Sequence, residues 1–163
     1  MRKFEIISKR QFDKDFNNID VNYNELVLPK RNTKKSAGYD FYMPYDIEIK
    51  PDEVVKIPTG IKVIMEEDDF LGLYIRSSLG FKYNLRLCNQ VGIIDADYYN
   101  NIDNEGHMFV KLKNEGESTV ILKKNDRYIQ GIFQKYYITY DDNANSERVG
   151  GIGSTNKGDE KNG

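Results

Sequence analysis

The chain has 163 residues, with 24 basic and 26 acidic side chains and a formal net charge of −2. This length predicts a single domain. Because the charges nearly balance, no global field favours nucleic acid or an acidic membrane as a partner, and any phosphate site must be built locally.

Cysteine and histidine are too scarce for several kinds of site. Cys88 and His107 are single residues of their types, which excludes an internal disulfide and a zinc site of the usual kind. One cysteine suits a reducing compartment, and the chain has neither a secretory signal nor a run of 18 apolar residues. We therefore expect a cytoplasmic protein without a membrane partner, a buried inert thiol at Cys88 and a surface or strand-edge position for His107.

The N-terminal part of the chain predicts short elements. Residues 4–8 indicate a short strand, and Phe12, Phe16 and Ile19 recur at the spacing of one or two helical turns. Residues 26–29 predict a further short strand.

Beyond residue 36, short apolar runs alternate with turn residues. Ile61, Val63 and Met65 occupy every second position of one run, and residues 128–140 form the longest run. Glycine, proline, asparagine and aspartate separate the runs at intervals of about 8 to 12 residues. This pattern predicts an all-β sandwich, barrel or jelly roll.

The helix signal within this β region lies at residues 76–83. A serine here is suited to cap a short helix directly after a strand, and Arg76 with two hydroxyls beside a helix start makes a local anion site. After Tyr140 the apolar content collapses, so residues 141–163 are predicted to be a tail that cannot fold on its own.

Residues 89–98 open as an apolar strand and end in the acidic turn Asp95-Ala96-Asp97-Tyr98. A carboxylate at the end of a rigid strand is well placed for a general base, because the sheet fixes its position.

Five segments, in this order, resemble the five motifs of the trimeric dUTP diphosphatases (dUTPases). They are AGYDF at 37–41, RSSLG at 76–80, NQVGIIDADY at 89–98, NDRYIQ at 125–130 and RVGGIGST at 148–155. The resemblance spans residues 26–156 and leaves about the first 25 residues outside it.

The resemblance implies a distorted β jelly roll of the β-clip type with one short helix after the second motif. It divides the chain into a jelly-roll domain at 1–140, with an N-terminal extension of about 1–25, and a flexible glycine-rich lid arm at 141–163. It also implies a homotrimer whose active sites are shared between subunits.

The implied reaction is attack of water on the α-phosphorus of dUTP, with Mg²⁺ on the triphosphate, to give dUMP and pyrophosphate. By resemblance, Asp95 activates the water. Tyr98 lies under the deoxyribose and leaves no room for a 2′-hydroxyl. Asn89 binds the uracil edge, and Gly92 lets the backbone approach the base.

The second, fourth and first motifs imply the phosphate side of the site. Arg76, Ser77 and Ser78 bind phosphate oxygens, with Gln130 as a further amide. The first-motif carboxylate Asp40 is placed on the Mg²⁺ side, acting through metal-bound water. Asp126 of the fourth motif is expected to hold the architecture by pairing with Arg76.

The fifth motif implies a lid that closes over the nucleotide through Arg148, Ile152, Gly153 and Ser154. Ile152 stands where the family usually has an aromatic ring that stacks on uracil. Asp97 replaces a small glycine, and residues 99–106 resemble an insertion after the third motif.

Two other readings remain open. One is a dCTP deaminase or bifunctional deaminase-dUTPase of the same fold, which needs a different context around the second and third motifs. The other is a nucleotide-binding regulator that contacts a partner protein through residues 99–106 or the N-terminal 25. An assay of pyrophosphate release from dUTP, dCTP and UTP separates all three.

Overall fold

A computed structural model describes residues 1–153 of the chain. Eleven strands form its framework: β1 (Lys3–Ile6), β2 (Tyr39–Tyr42), β3 (Ile47–Ile49), β4 (Val54–Pro58), β5 (Ile61–Ile64), β6 (Asp69–Ile75), β7 (Leu85–Leu87), β8 (Gly92–Asp95), β9 (Phe109–Asn114), β10 (Val120–Leu122) and β11 (Arg127–Lys135). The helices are α1 (Lys9–Asp15) and α2 (Ser77–Tyr83), with 3-10 turns at Tyr23–Glu25 and Ala96–Tyr98. Within residues 1–153, no helix has the length and apolar character needed to cross a membrane.

Four sheets carry these strands, and every strand pairing is antiparallel. The largest sheet has the order β2-β11-β6-β8, and a second has the order β4-β9-β7. Two further pairs are β1-β5 and β10-β3. This mainly β architecture confirms the predicted jelly-roll class.

The main core is an apolar cluster to which all four sheets contribute side chains. Phe4, Ile49, Leu71 and Leu112 each come from a different sheet and are at most 8% exposed. Burying a side chain of this size contributes about 1.5–3 kcal/mol. The burial of these side chains therefore holds the four sheets together. Strand β6 pairs with β8 on one edge and with β11 on the other, so it is a rigid strand of the largest sheet.

The N-terminal segment is part of the folded unit. β1 pairs with β5, and Arg2 makes a bidentate contact with the buried carboxylate of Asp69 at 2.7 and 2.8 Å. Ser8 caps α1 by accepting from a backbone N–H. Phe12 and Phe16, the residues with predicted helical spacing, then bury themselves in a second apolar cluster.

Three local predictions were wrong. Residues 26–29 form no strand. The last strand ends at Lys135, so residues 136–140 leave the sheet. The N-cap of α2 is Arg76, which makes no side-chain capping bond, so neither predicted serine caps the helix. For the last strand and for α2 the predicted element type was correct, but its boundary or cap differed.

His107 is fully buried, so the prediction of a surface or strand-edge histidine was wrong. Its Nε2 accepts the backbone N–H of Gly60 at 2.8 Å, and its Nδ1 lies 2.5 Å from Asp15 Oδ2. A ring nitrogen that accepts a hydrogen bond carries no proton, so the neutral ring is protonated on Nδ1. Burial lowers the pKa of His107, although the Asp15 carboxylate opposes that shift.

We predict that His107 titrates below the ordinary histidine value of about 6.5. As pH falls, His107 is then protonated in the unfolded chain before it is protonated in the folded chain. The contribution of the neutral His107 ring to the free energy of unfolding is therefore complete above about pH 6.5 and is lost as pH falls through the folded pKa. The chain has one histidine, so its Hε1 NMR signal is unambiguous. A titration midpoint of this signal at or above about pH 6.5 contradicts the prediction. So do ¹⁵N chemical shifts that place the proton of the neutral ring on Nε2.

Candidate active site

Strand β8 ends at Asp95, beside a cavity of about 550 Å³. The hydrogen-bond ladder with β6 fixes the strand, and the 3-10 turn that follows carries Tyr98 back toward the same cavity. Residues predicted for the uracil, sugar and water subsites share its wall with the arm: Asn89, Gly92, Asp95, Tyr98, Arg148, Ile152 and Gly153. The structure thus brings seven of the sequence-predicted site residues to one place.

Tyr98 is held rigidly at the cavity wall and is 6% exposed. Its hydroxyl donates to the carbonyl of His107 at 3.1 Å and accepts the side-chain amide of Asn104 at 2.8 Å. Burial raises the pKa of Tyr98. The phenol is therefore a neutral, fixed surface, which suits steric selection rather than proton transfer.

Arg148 of the arm lies across the acidic turn. Its Nη2 donates to Asp95 Oδ2 at 2.9 Å, and its Nε donates to Asp97 Oδ1 at 2.8 Å. The guanidinium carbon is 5.6 Å from the centroid of the Tyr98 ring, within cation–π range. Charge pairing and the ring together hold this part of the arm over the cavity.

Ile152 and Gly153, at the end of the described part of the arm, are held less firmly. Ile152 lines the cavity but keeps 72% of its surface exposed. Gly153 has a φ of +76°, a conformation that favours glycine. Ser154 lies outside the described residues. On the wall itself, a Cβ at Gly92 would lie 3.1 Å from Leu73 Cβ, so close packing on β6 also accounts for that glycine.

A second group of predicted residues surrounds Asp40 in β2. Arg76 Nε lies 3.0 Å from Asp40 Oδ1, and Arg127 Nη1 lies 3.3 Å from Oδ2. Asn32 donates its amide to Oδ2 at 2.5 Å. Asp126 instead accepts the backbone N–H of Lys123 at 2.8 Å. The expected Asp126–Arg76 pair is therefore wrong, because Asp40 takes that place.

The other residues predicted for the phosphates neighbour Asp40 in the sheet or follow Arg76 in the chain. Gln130 stands opposite Asp40 in the β11–β2 ladder. A side chain at Gly38 would collide with Gln130, so this glycine makes room for the amide. Ser77 and Ser78 begin α2 directly after Arg76 and are exposed to solvent.

The two groups lie at opposite ends of the same strand. Asp95 stands opposite Phe70 near the start of β6, whereas Arg76 follows its last residue. Six steps of extended chain, from residue 70 to residue 76, span about 20 Å at about 3.3 Å per step. A single chain therefore does not bring the residues predicted for the nucleoside together with those predicted for the phosphates.

The surroundings of Asp40 do not fit a cation. Two guanidinium groups and an amide occupy its oxygens, and a further positive charge there would be repelled. Within residues 1–153, no three acidic, histidine or cysteine side chains form a metal-binding group.

Sequence reasoning missed the contacts around the acidic turn. Asp97 shares Arg148 with Asp95, and the insertion places Asn104 on the Tyr98 hydroxyl. The concentration of asparagine and aspartate at residues 100–104 was the available signal. Cys88, expected to be buried, is half-buried and lines the cavity.

Comparison with known proteins connects this geometry to a family. The sequence profile of the dUTPase family matches residues 24–159. The chain is 40% identical over 157 residues to the deoxyuridine 5′-triphosphate nucleotidohydrolase of Lactococcus lactis subsp. lactis (strain IL1403), covering 95% of this chain and 97% of that protein. It is 35% identical over 138 residues to that of Paraburkholderia xenovorans (strain LB400), covering 80% and 89%.

A solved structure shows the same relationship. The chain is similar to the dUTPase from Streptococcus mutans, with a TM-score of 0.68 and 40% identity, over 83% of this chain and 97% of that one. The profile match and the two 40% identities, each spanning most of both proteins, establish that the chain belongs to the dUTPase family.

Proposed function

We propose that this chain hydrolyses dUTP to dUMP and pyrophosphate, with Asp95 activating the water that attacks the α-phosphorus. Membership of the dUTPase family supports the reaction. The observation that carries the catalytic role is the position of Asp95 at the end of a paired strand, on the wall of the cavity that Tyr98 closes. The reaction limits uracil incorporation into DNA and supplies dUMP for thymidylate synthesis, and we place it in the cytoplasm with the nucleotide pool.

In the proposed complex, the cavity takes the nucleoside. The amide of Asn89 offers a donor and an acceptor to the uracil edge. The Tyr98 ring lies against the deoxyribose and leaves no space for a 2′-hydroxyl. Ile152 covers the base by apolar contact.

Arg148 has two roles in this proposal. Its ion pairs with Asp95 and Asp97 keep the arm beside the cavity. A triphosphate carries more negative charge than this pair of carboxylates, so we propose that it draws the guanidinium onto its oxygens. That movement releases Asp95 from its ion pair, so that it can accept the proton of the water. The same movement closes the lid over the nucleotide.

Mg²⁺ enters this scheme with the substrate. We propose that the triphosphate oxygens supply its main ligands, because Mg²⁺ keeps several waters and needs few protein ligands. Such an ion would reduce the negative charge on the phosphates when bound. Asp40, predicted on the metal side, is better explained as the anchor that orients Arg76 and Arg127 toward a phosphate chain.

The site is proposed to be shared in a homotrimer. The separation of about 20 Å between Asp95 and Arg76 is too great for one triphosphate to bridge within a chain. Exposed apolar residues also indicate an assembly surface. Phe81 is 90% exposed, Tyr137 96% and Ile138 71%. Neighbouring copies then bring Arg76, Ser77, Ser78 and Gln130 to the nucleoside half.

Asp95→Asn removes the proton acceptor and keeps the side-chain shape. We expect kcat to fall by about 10²–10⁴-fold, the usual scale for a lost general base, with binding of a non-hydrolysable dUTP analogue nearly retained. Asp97→Asn is the matched control, because it weakens the other half of the Arg148 contact and leaves the base in place. A variant Asp95→Asn that keeps more than about a tenth of wild-type kcat would falsify the assignment.

Tyr98→Ala opens space below C2′ of the sugar. We expect the preference for dUTP over UTP, measured as the ratio of kcat/KM values, to narrow. Tyr99→Ala serves as the control, because that neighbouring side chain binds Glu5 instead. An unchanged ratio in Tyr98→Ala removes this residue from the sugar site.

Light scattering should report about 57 kDa, three times 19.0 kDa, and the shared site gives a sharper test. Asp95→Asn and Arg76→Ala chains are each expected to be nearly inactive. When they are co-expressed, about a quarter of the sites should combine an intact Asp95 with an intact Arg76 from another copy. Mixed trimers without restored activity, or a fully active monomer, contradict the shared site.

A further inference from the structure

The insertion at residues 99–106 forms hydrogen bonds with both the side chain and the backbone of Tyr98. Asn104 donates its amide to the Tyr98 hydroxyl at 2.8 Å, and Asn101 donates its amide to the Tyr98 carbonyl at 2.8 Å. Tyr98 is the residue proposed to lie against the sugar. The position of its ring is therefore set by side chains that belong to the insertion.

Further hydrogen bonds within the insertion hold Asn101 and Asn104 in place. The Asn101 amide also donates to Asn104 Oδ1 at 2.8 Å, and Asn101 Oδ1 accepts two backbone N–H groups at 3.1 Å. Gly106 has a φ of +80°, and a Cβ there would lie 2.7 Å from the Tyr98 carbonyl oxygen. The loop thus packs so closely on Tyr98 that glycine is required at this turn.

The same loop receives the arm. Asp103 Oδ2 accepts the backbone N–H of Gly151 at 2.8 Å. A Cβ on Gly151 would lie 3.2 Å from Asn104 Nδ2, so the absence of a side chain lets the arm lie against the loop. Gly150 and Gly151 are both buried there. Two elements of the proposed site, the Tyr98 wall and the arm, therefore contact the neighbouring residues Asn104 and Asp103.

The N-terminal segment holds the loop from behind. Lys14 Nζ donates to the Asp103 carbonyl at 3.0 Å, and Glu105 accepts the backbone N–H of Ser8 at 3.0 Å. Tyr99 donates its hydroxyl to Glu5 at 2.7 Å. The loop is therefore supported at three points and is rigid enough to position what it touches.

We propose that Asn104 and Asp103 are positioning residues of the active site: Asn104 sets the Tyr98 ring against the sugar, and Asp103 seats the arm above it. This inference rests on the proposed function. One loop couples the discrimination of deoxyribose to lid closure, because the two bonds come from adjacent side chains on one braced turn.

The first test measures sugar selectivity. Asn104→Ala should lower the dUTP-over-UTP ratio of kcat/KM values about fivefold, the effect of one hydrogen bond. Tyr98→Phe removes the same bond and also the bond to the His107 carbonyl, so it should lower the ratio at least as much. The double variant should lose no more than Tyr98→Phe alone, because Asn104 then has no hydroxyl left to hold. Ile102→Ala, on the same loop and 88% exposed, should keep the wild-type ratio.

Two results overturn the role of Asn104. One is a ratio within twofold of wild type together with a lowered Tm, which identifies a structural residue only. The other is full additivity of Asn104→Ala and Tyr98→Phe, which shows that Asn104 does not act through the Tyr98 hydroxyl.

The second test needs no turnover. Trypsin cleavage after Arg148, followed by mass spectrometry of the whole protein without nucleotide, reports arm seating. Asp103→Ala should be cut several-fold faster than wild type, and Asp103→Asn, which keeps an acceptor oxygen, should restore most of the protection. Equal cleavage rates in all three proteins overturn the role of Asp103.

The outcomes separate this inference from the proposed function. A wild-type protein that releases no pyrophosphate from dUTP refutes the proposed function, whereas the trypsin result still decides whether Asp103 seats the arm. Active wild-type protein with unchanged ratios and unchanged cleavage refutes the inference alone.

Discussion

The antiparallel pairing of β8 with β6 is the constraint on which the rest of the structure depends. It fixes Asp95 opposite Phe70, whereas Arg76 follows the far end of the same strand. A strand buried between two neighbours cannot bend to close that distance. The rigidity that suits Asp95 to its proposed role as a base therefore also separates it from the residues predicted for the phosphates, which is why we propose a site shared between copies of the chain.

The parts of the chain outside the family motifs support one another. The N-terminal segment adds a strand and a helix, and it contacts the insertion through Ser8 and Lys14. His107 lies at their junction, with both ring nitrogens bonded. Since a buried polar group left unpaired is costly, the extension and the insertion stabilise each other and reach Tyr98 as one unit.

Two carboxylates hold the arm on the acidic turn. Asp97 gives Arg148 a second carboxylate beside Asp95. In the proposed reaction, this pair competes with the triphosphate for one guanidinium. The charge of the substrate then decides whether the arm rests on the acidic turn or on the phosphates.

Sequence patterns determined much of this protein by themselves. Alternating apolar residues predicted most strands, and the spacing of Phe12 and Phe16 predicted α1, because side-chain periodicity is a local property. The motif resemblance placed Asp95, Asn89 and Tyr98 in one site, and the structure does bring them to one cavity.

Only the tertiary structure decided which distant side chains meet. His107 is buried because Asp15, 92 residues away in sequence, completes its hydrogen bonds. Arg76 pairs with Asp40 rather than Asp126, because the order β2-β11-β6 places Asp40 within reach. Hydrogen bonds and ion pairs depend on distances of a few ångströms between separate elements. The periodicity of the sequence contains no information about such distances. The hydrogen bonds from Asn101 and Asn104 to Tyr98 therefore became visible only in the folded molecule.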